Sequence, residues 1–119
     1  MNKFVVDGKV GVLIHPCYGA GWSTWSDKYG ISLALDTRII NKFLEIKKKL
    51  KNNETNRKIS CKEMKEFLDS IGYVDVYCEY IIDELSLSFV EEGNFIRIEE
   101  FDGKETLEIR HDIDGFIQV

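Results

Sequence analysis

Near the N-terminus, Gly19-Ala20-Gly21-Trp22-Ser23-Thr24-Trp25, preceded by Tyr18, brings glycines, hydroxyls and indoles into one short segment. Glycine lets backbone amides come close to phosphate oxygens, Ser23 and Thr24 add hydroxyl donors, and flat rings can stack on a base. Such a combination suits capture of a nucleotide-like anion. The segment has no G-K-[ST], so it is not a Walker loop, and it lacks the third glycine and following helix of a dinucleotide fingerprint. A purely structural role uses the same residues, with the glycines turning the chain while Trp22 and Trp25 plug the open end of a sheet.

A captured phosphate needs cations. Arg97 and Arg110 are the best placed, because a guanidinium can grip phosphate through two parallel hydrogen bonds; surface pairing with Glu99, Glu100 or Glu108 is the alternative. Arg57 lies in a polar connection, either solvated or at a subunit junction, and Arg38 is expected to be solvated. His15 and Cys17 suggest a base and a nucleophile, but two residues apart on an extended chain puts them roughly 7 Å from each other, too far for a direct hydrogen bond. With His111 the only other histidine, the spacing offers no zinc motif and no metal is expected. Glu99, Glu100 and Asp102 are expected to form a solvated strand edge rather than a hydrolytic site.

The 119 residues are 44% hydrophobic and 31% charged with one proline, which excludes a disordered tail or a collagen-like chain and fits a single domain over residues 1–119. A net charge of −5 opposes long nucleic acids as partners. No apolar run reaches the ~20 residues of a membrane helix, and no signal peptide is evident, so a soluble cytoplasmic protein is expected. Cys17, Cys61 and Cys78 form no C-x-x-C motif or disulfide framework, and reduced buried thiols are expected.

These side chains need elements to hold them. Phe4-Val5-Val6 and Val10 to Ile14 flank Asp7-Gly8, a two-residue hairpin turn. Pro16 ends the second strand, and residues 18–25 form a loop. Ile31, Leu33 and Leu35 alternate with Ser32 and Ala34, which predicts a third strand. Asp36 caps a helix from about Thr37 to about Leu50, followed by a solvated connection from Lys51 to Lys58. Lys47, Lys48, Lys49 and Lys51 complement the dipole at that helix's end. Ser60 and Glu63 make a capping box for a short second helix that Gly72 ends. Strands follow at Leu85–Val90, Phe95–Phe101 and Glu105–Arg110, with a turn at Asp112–Gly115 and a last short strand at Phe116–Val119. On the second of these, Phe95, Arg97, Glu99 and Phe101 share one face, leaving Ile96 and Ile98 to the core. The expected fold is α+β: an antiparallel β-sheet from both chain ends with two helices inserted after the third strand.

The run Val10 to Ile14 leading into Tyr18 to Trp25, the helix start Asp36-Thr37-Arg38-Ile39, and Phe95-Ile96-Arg97-Ile98-Glu99-Glu100-Phe101-Asp102-Gly103 resemble the Thoeris anti-defence sponges of phages, specifically the first-described type. The resemblance covers nearly the whole chain, and the glycine and tryptophan segment is its most specific part. It implies a protein without enzymatic activity or cofactor that binds cyclic ADP-ribose isomers made by bacterial Toll/interleukin-receptor-domain enzymes and holds them uncleaved in the infected host's cytoplasm. Its implied ligand-binding residues are Tyr18, Gly19, Ala20, Gly21, Trp22, Ser23, Thr24 and Trp25, together with Asn94, Phe95, Arg97 and Phe101 of the Asn94–Gly103 segment. Members form dimers that assemble into hexamers, and some take up cyclic oligonucleotides at a second site, for which Arg57 is the candidate here. His15 and Cys17 depart from the family's more usual serine and glycine.

A pyrophosphate ligand with about two negative charges meets a subunit already at −5, so local donors must overcome the long-range field. For so small a chain, a second subunit would complete a pocket deep enough to cover such a ligand, which makes a dimer the smallest expected unit. Two other functions compete: a hydrolase acting on a cyclic nucleotide through its acidic residues, and a protein-binding inhibitor of a host defence enzyme.

Overall fold

A computed structural model describes residues 2–79, 81–110 and 115–119. A hairpin of β1 (Val5–Val6) and β2 (Lys9–Ile14) opens the chain, and β3 (Ser86–Glu91) pairs antiparallel along the other edge of β2, giving the order β1-β2-β3. β4 (Phe95–Phe101) is flanked by β5 (Lys104–Arg110) and β6 (Ile117–Gln118) in a second antiparallel sheet, of order β5-β4-β6. Between β2 and β3 come a 3-10 turn (Ser23–Trp25), α1 (Ser32–Leu35), α2 (Thr37–Lys51) and α3 (Arg57–Ser70). The α+β class and the pairing of strands from both chain ends are as expected, with the strands divided between two sheets. No helix among the described residues is long and apolar enough to cross a membrane.

β2 lies between two cores. Leu13 joins Trp22, Leu33, Ile40, Phe43, Met64 and Leu68 on the helical side. Val10, Val12 and Ile14, in the opposite phase, pack with Ala34, Leu35, Val90, Ile96 and Val119 toward the second sheet. The helix α2 buries Ile39, Ile40, Phe43 and Ile46, as its spacing predicts.

Two local expectations are corrected. The third strand expected at Ile31–Leu35 is the helical turn α1, so the helices follow the second strand. Leu33 enters one core while Ala34 and Leu35 enter the other, and a single turn supplies both directions where an extended chain would alternate strictly. The second helix begins at Arg57 rather than at a Ser60–Glu63 box, because the Asn56 side chain accepts the Ile59 amide at 2.9 Å. Ser60 is buried, and Glu63 instead receives Lys42 and Lys49 at 2.7 and 3.1 Å. Most of the turn expected at Asp112–Gly115 lies outside the described residues.

Cys61 and Cys78 are buried, as expected, with their sulfurs 3.2 Å apart, whereas Cys17 is half-buried. Burial, reinforced by the Cys61 contact, pushes the Cys78 thiol up to about 12, so it stays protonated and inert at neutral pH.

Asp36 joins three elements. Its side chain caps α2 by accepting the Arg38 amide at 2.9 Å, takes the Arg38 guanidinium at 2.7 and 3.1 Å, and takes the Tyr73 hydroxyl at 2.8 Å. Arg38 is therefore paired rather than merely solvated. Burial alone would raise the Asp36 carboxyl, but these hydrogen bonds outweigh it and hold the group below the usual carboxylate range. A depressed folded-state value means that the ionised group contributes stability above the unfolded value near ~3.9, which is lost as pH falls through and below it. Asp36→Ala should cost about 1–3 kcal/mol in urea unfolding at pH 7, with the gap to wild type closing on acidification; a gap independent of pH would exclude the ionised carboxylate as the source.

Candidate functional site

The residues 18–25 are held by a side chain from the far end of the chain. Glu105, at the start of β5 and 2% exposed, points its carboxylate into this loop. One oxygen accepts the His15 amide at 2.8 Å; the other accepts the amides of Trp22 at 2.9 Å and Thr24 at 3.0 Å and the Thr24 hydroxyl at 2.5 Å. The Glu105 amide in turn donates to the His15 carbonyl at 2.8 Å. Charge-assisted bonds of this kind are about twice as strong as neutral ones, and here they fix the loop against the second sheet.

The β4–β5 turn closes the same junction. Asp102 and Gly103 both have positive φ, the pattern of a two-residue hairpin, and the Asp102 carbonyl accepts the Gly19 amide at 2.8 Å. A Cβ on Gly103 would fall 2.4 Å from the Ala20 nitrogen, so only glycine lets these backbones meet.

Trp22 is sealed in the helical core at 2% exposure, and its indole donates to the Leu33 carbonyl at 2.8 Å. It packs the helical core rather than the open end of a sheet, and it offers no open face to a ligand, contrary to the expected stacking role. Trp25, by contrast, is half exposed and lies over Gly21.

Between loop and sheet lies a cavity of about 300 Å³, lined by Ser23, Thr24, Ser26, Gly30, Ile31, Ile96, Arg97, Ile98, Gly115 and Ile117. It brings two of the expected hydroxyl residues to the expected Arg97. Both Arg97 and Arg110 place their guanidinium carbons over the Phe116 ring, 4.7 and 5.3 Å from its centre. Arg97 also contacts Glu99 at 2.6 Å and Glu108 at 3.3 Å, while Arg110 contacts Glu108 at 2.9 Å. Arg110, followed by Arg97, holds the Glu108 carboxyl below its usual range despite some desolvation. An anion entering this cavity must therefore displace or share carboxylates.

The other expected residues lie elsewhere. Tyr18 is exposed, with Lys104 5.2 Å above its ring, and Phe101 is 74% exposed, the most of any large apolar side chain among the described residues. Asn94 and Phe95 serve the sheet: the Asn94 carbonyl accepts the Val119 amide, and Phe95 pairs with Arg110 and Gln118. Gly19, Ala20 and Gly21 belong to the loop but do not line the cavity. Arg57 contacts Asp83 at 2.8 Å and borders a separate cavity of about 510 Å³ with Lys58, Cys61, Lys62, Lys65 and Glu79.

β2 ends at Ile14, and the chain bends at Cys17. The ligand atoms of His15 and Cys17 and a carboxylate oxygen of Glu84 lie within 4.8 Å of one another. Sequence reasoning missed Glu105, Ser26, Gly30 and Phe116. Glu105 carries a signal in hindsight, since it shares the strand phase of half-buried Leu107 and is therefore a carboxylate on an inward face.

No protein-family model matches this chain, and neither do the curated proteins or the solved structures. Functional inference therefore rests on this geometry.

The Glu105 arrangement is directly testable. In Glu105→Gln an amide hydrogen must face at least one backbone donor, so urea unfolding should show a loss of about 2–4 kcal/mol, with Trp25 fluorescence reporting a loosened loop. Unchanged stability would remove Glu105 as the loop's anchor.

Proposed function

We propose that this chain is a binding module that captures a small anionic nucleotide of the cyclic ADP-ribose class and holds it intact, as the phage anti-defence sponges it resembles do. The observation that supports this most strongly is the cavity shared by Ser23, Thr24, Ser26 and Arg97, which unites hydroxyls, a guanidinium and apolar walls across 74 sequence positions. Arg97 takes the phosphate, with Arg110 next to it across the Phe116 ring, and the isoleucine walls take the apolar parts of the ligand. Its volume is at the lower end for small-molecule sites, so a second copy of the chain would cover the remainder of the ligand. The dimer and hexamer implied by the resemblance fit this need. The cations around the Arg57 cavity suit a larger, more highly charged ligand of the cyclic-oligonucleotide class.

A second reading has its own support. Tyr18, Trp25 and Phe101 are exposed aromatics on the loop and the adjoining strand, and such groups favour protein contacts. Under the first reading the partner is another copy; under the second it is a host enzyme.

Isothermal titration with a cyclic ADP-ribose isomer should show binding that Arg97→Ala weakens about 10- to 100-fold, the range of a lost charge-assisted hydrogen bond. Glu108→Gln should tighten it, by releasing both arginines from a competing carboxylate. Ligand recovered from the denatured complex should be intact. Linear product would favour the hydrolase, and host-protein capture with no titration heat would favour the inhibitor.

A further inference from the structure

We propose that His15, Cys17 and Glu84 form a binding site for a zinc-class divalent ion, with one coordination position left open. The backbone sets the first ligand. His15 is tied on both sides to Glu105, through its amide and its carbonyl, and its side chain is almost wholly buried. The imidazole is therefore aimed rather than free to rotate.

That ring meets two oxygen acceptors. Nδ1 lies 3.4 Å from the Gly103 carbonyl, and Nε2 lies 3.2 Å from a Glu84 carboxylate oxygen. A neutral imidazole has one N–H. Placing it on Nδ1 toward the carbonyl gives the outer bond that metal-ligating histidines ordinarily make, and leaves the Nε2 lone pair facing a carboxylate lone pair. With the proton on Nε2 instead the ring donates directly to Glu84; in the Nδ1–H tautomer a cation between the two would bond both.

Distances and donor types fit zinc. Tetrahedral zinc with ordinary Zn–N, Zn–O and Zn–S lengths needs donor separations of about 3.3 to 3.6 Å. The His15–Glu84 pair already lies at 3.2 Å, and the Cys17 sulfur must close from within 4.8 Å. Cys17 is half-buried and the Glu84 side chain is 38% exposed, so a small rotation of either completes the set and leaves a path for the ion. A thiolate among the donors selects zinc over magnesium or calcium, and three protein ligands leave the fourth position for water or an incoming donor. Bound there, the ion would clip the end of β2 to the segment before β3, next to the Glu105 anchor.

The test uses the full chain stripped with chelator and titrated with cobalt(II). The expected result is one cobalt per chain, with a near-ultraviolet thiolate-to-cobalt band that equimolar zinc removes. Cys17→Ser should abolish the band and Cys61→Ser should keep it. Glu84→Gln should weaken binding more than tenfold. Zinc should also slow alkylation of Cys17 in the unmodified protein, a readout needing no variant. Absence of cobalt binding, which would leave His15 and Glu84 as a simple hydrogen-bonded pair, overturns the proposal. So does a band that survives Cys17→Ser and disappears in Cys61→Ser, or an alkylation rate indifferent to zinc.

Discussion

One buried carboxylate holds the two ends of this chain together. Among the described residues no ion pair is made by Glu105; its solvation is replaced by three backbone amides and a hydroxyl, all from residues 15–24. Withdrawing a carboxylate from water costs several kcal/mol unless its lone pairs are met, so it tolerates only the loop conformation that points these donors at one place. The loop takes its shape from β5, and the cavity floor formed by Ser23 and Thr24 follows from that shape.

The same constraint limits the anion site proposed above. The backbone donors closest to Glu105 are consumed internally, so an anion must rely on Arg97, Arg110 and the remaining hydroxyls. Both arginines are already balanced by Glu99 and Glu108. Under the proposed function, specificity would come from exchanging one set of acceptors for another, which would favour a ligand whose phosphate geometry matches the guanidinium better than two separate carboxylates do. The Phe116 ring lies against both guanidiniums.

Much of the fold was legible. Asp7-Gly8 and Asp102-Gly103 each specify a tight hairpin, and the apolar period of Ile39 to Leu50 specifies a helix; both signals depend on nearby residues only. Residues 31–35 were not legible in the same way, because five residues alternating apolar and small are compatible with a strand or a turn of helix, and two cores competing for Leu33 and Ala34 decided between them. Of the expected site residues, Ser23, Thr24 and Arg97 line one cavity, whereas Trp22 is a core residue. An indole that stacks on a ligand and one that seals an interior have the same local sequence.

What the chain's order of residues determined alone was everything set within a few positions: the hairpins, the cap at Asp36, the face on which Arg97 stands, and the net charge that any anion must overcome. What only the tertiary structure decided was convergence. Glu105 reaches back some 80 positions to organise the loop, Arg97 comes to Ser23 and Thr24, and Glu84 comes to His15 and Cys17. Such meetings are fixed by which faces must leave water together and by where buried polar atoms can find partners, and these are properties of the whole packed chain rather than of any segment in it.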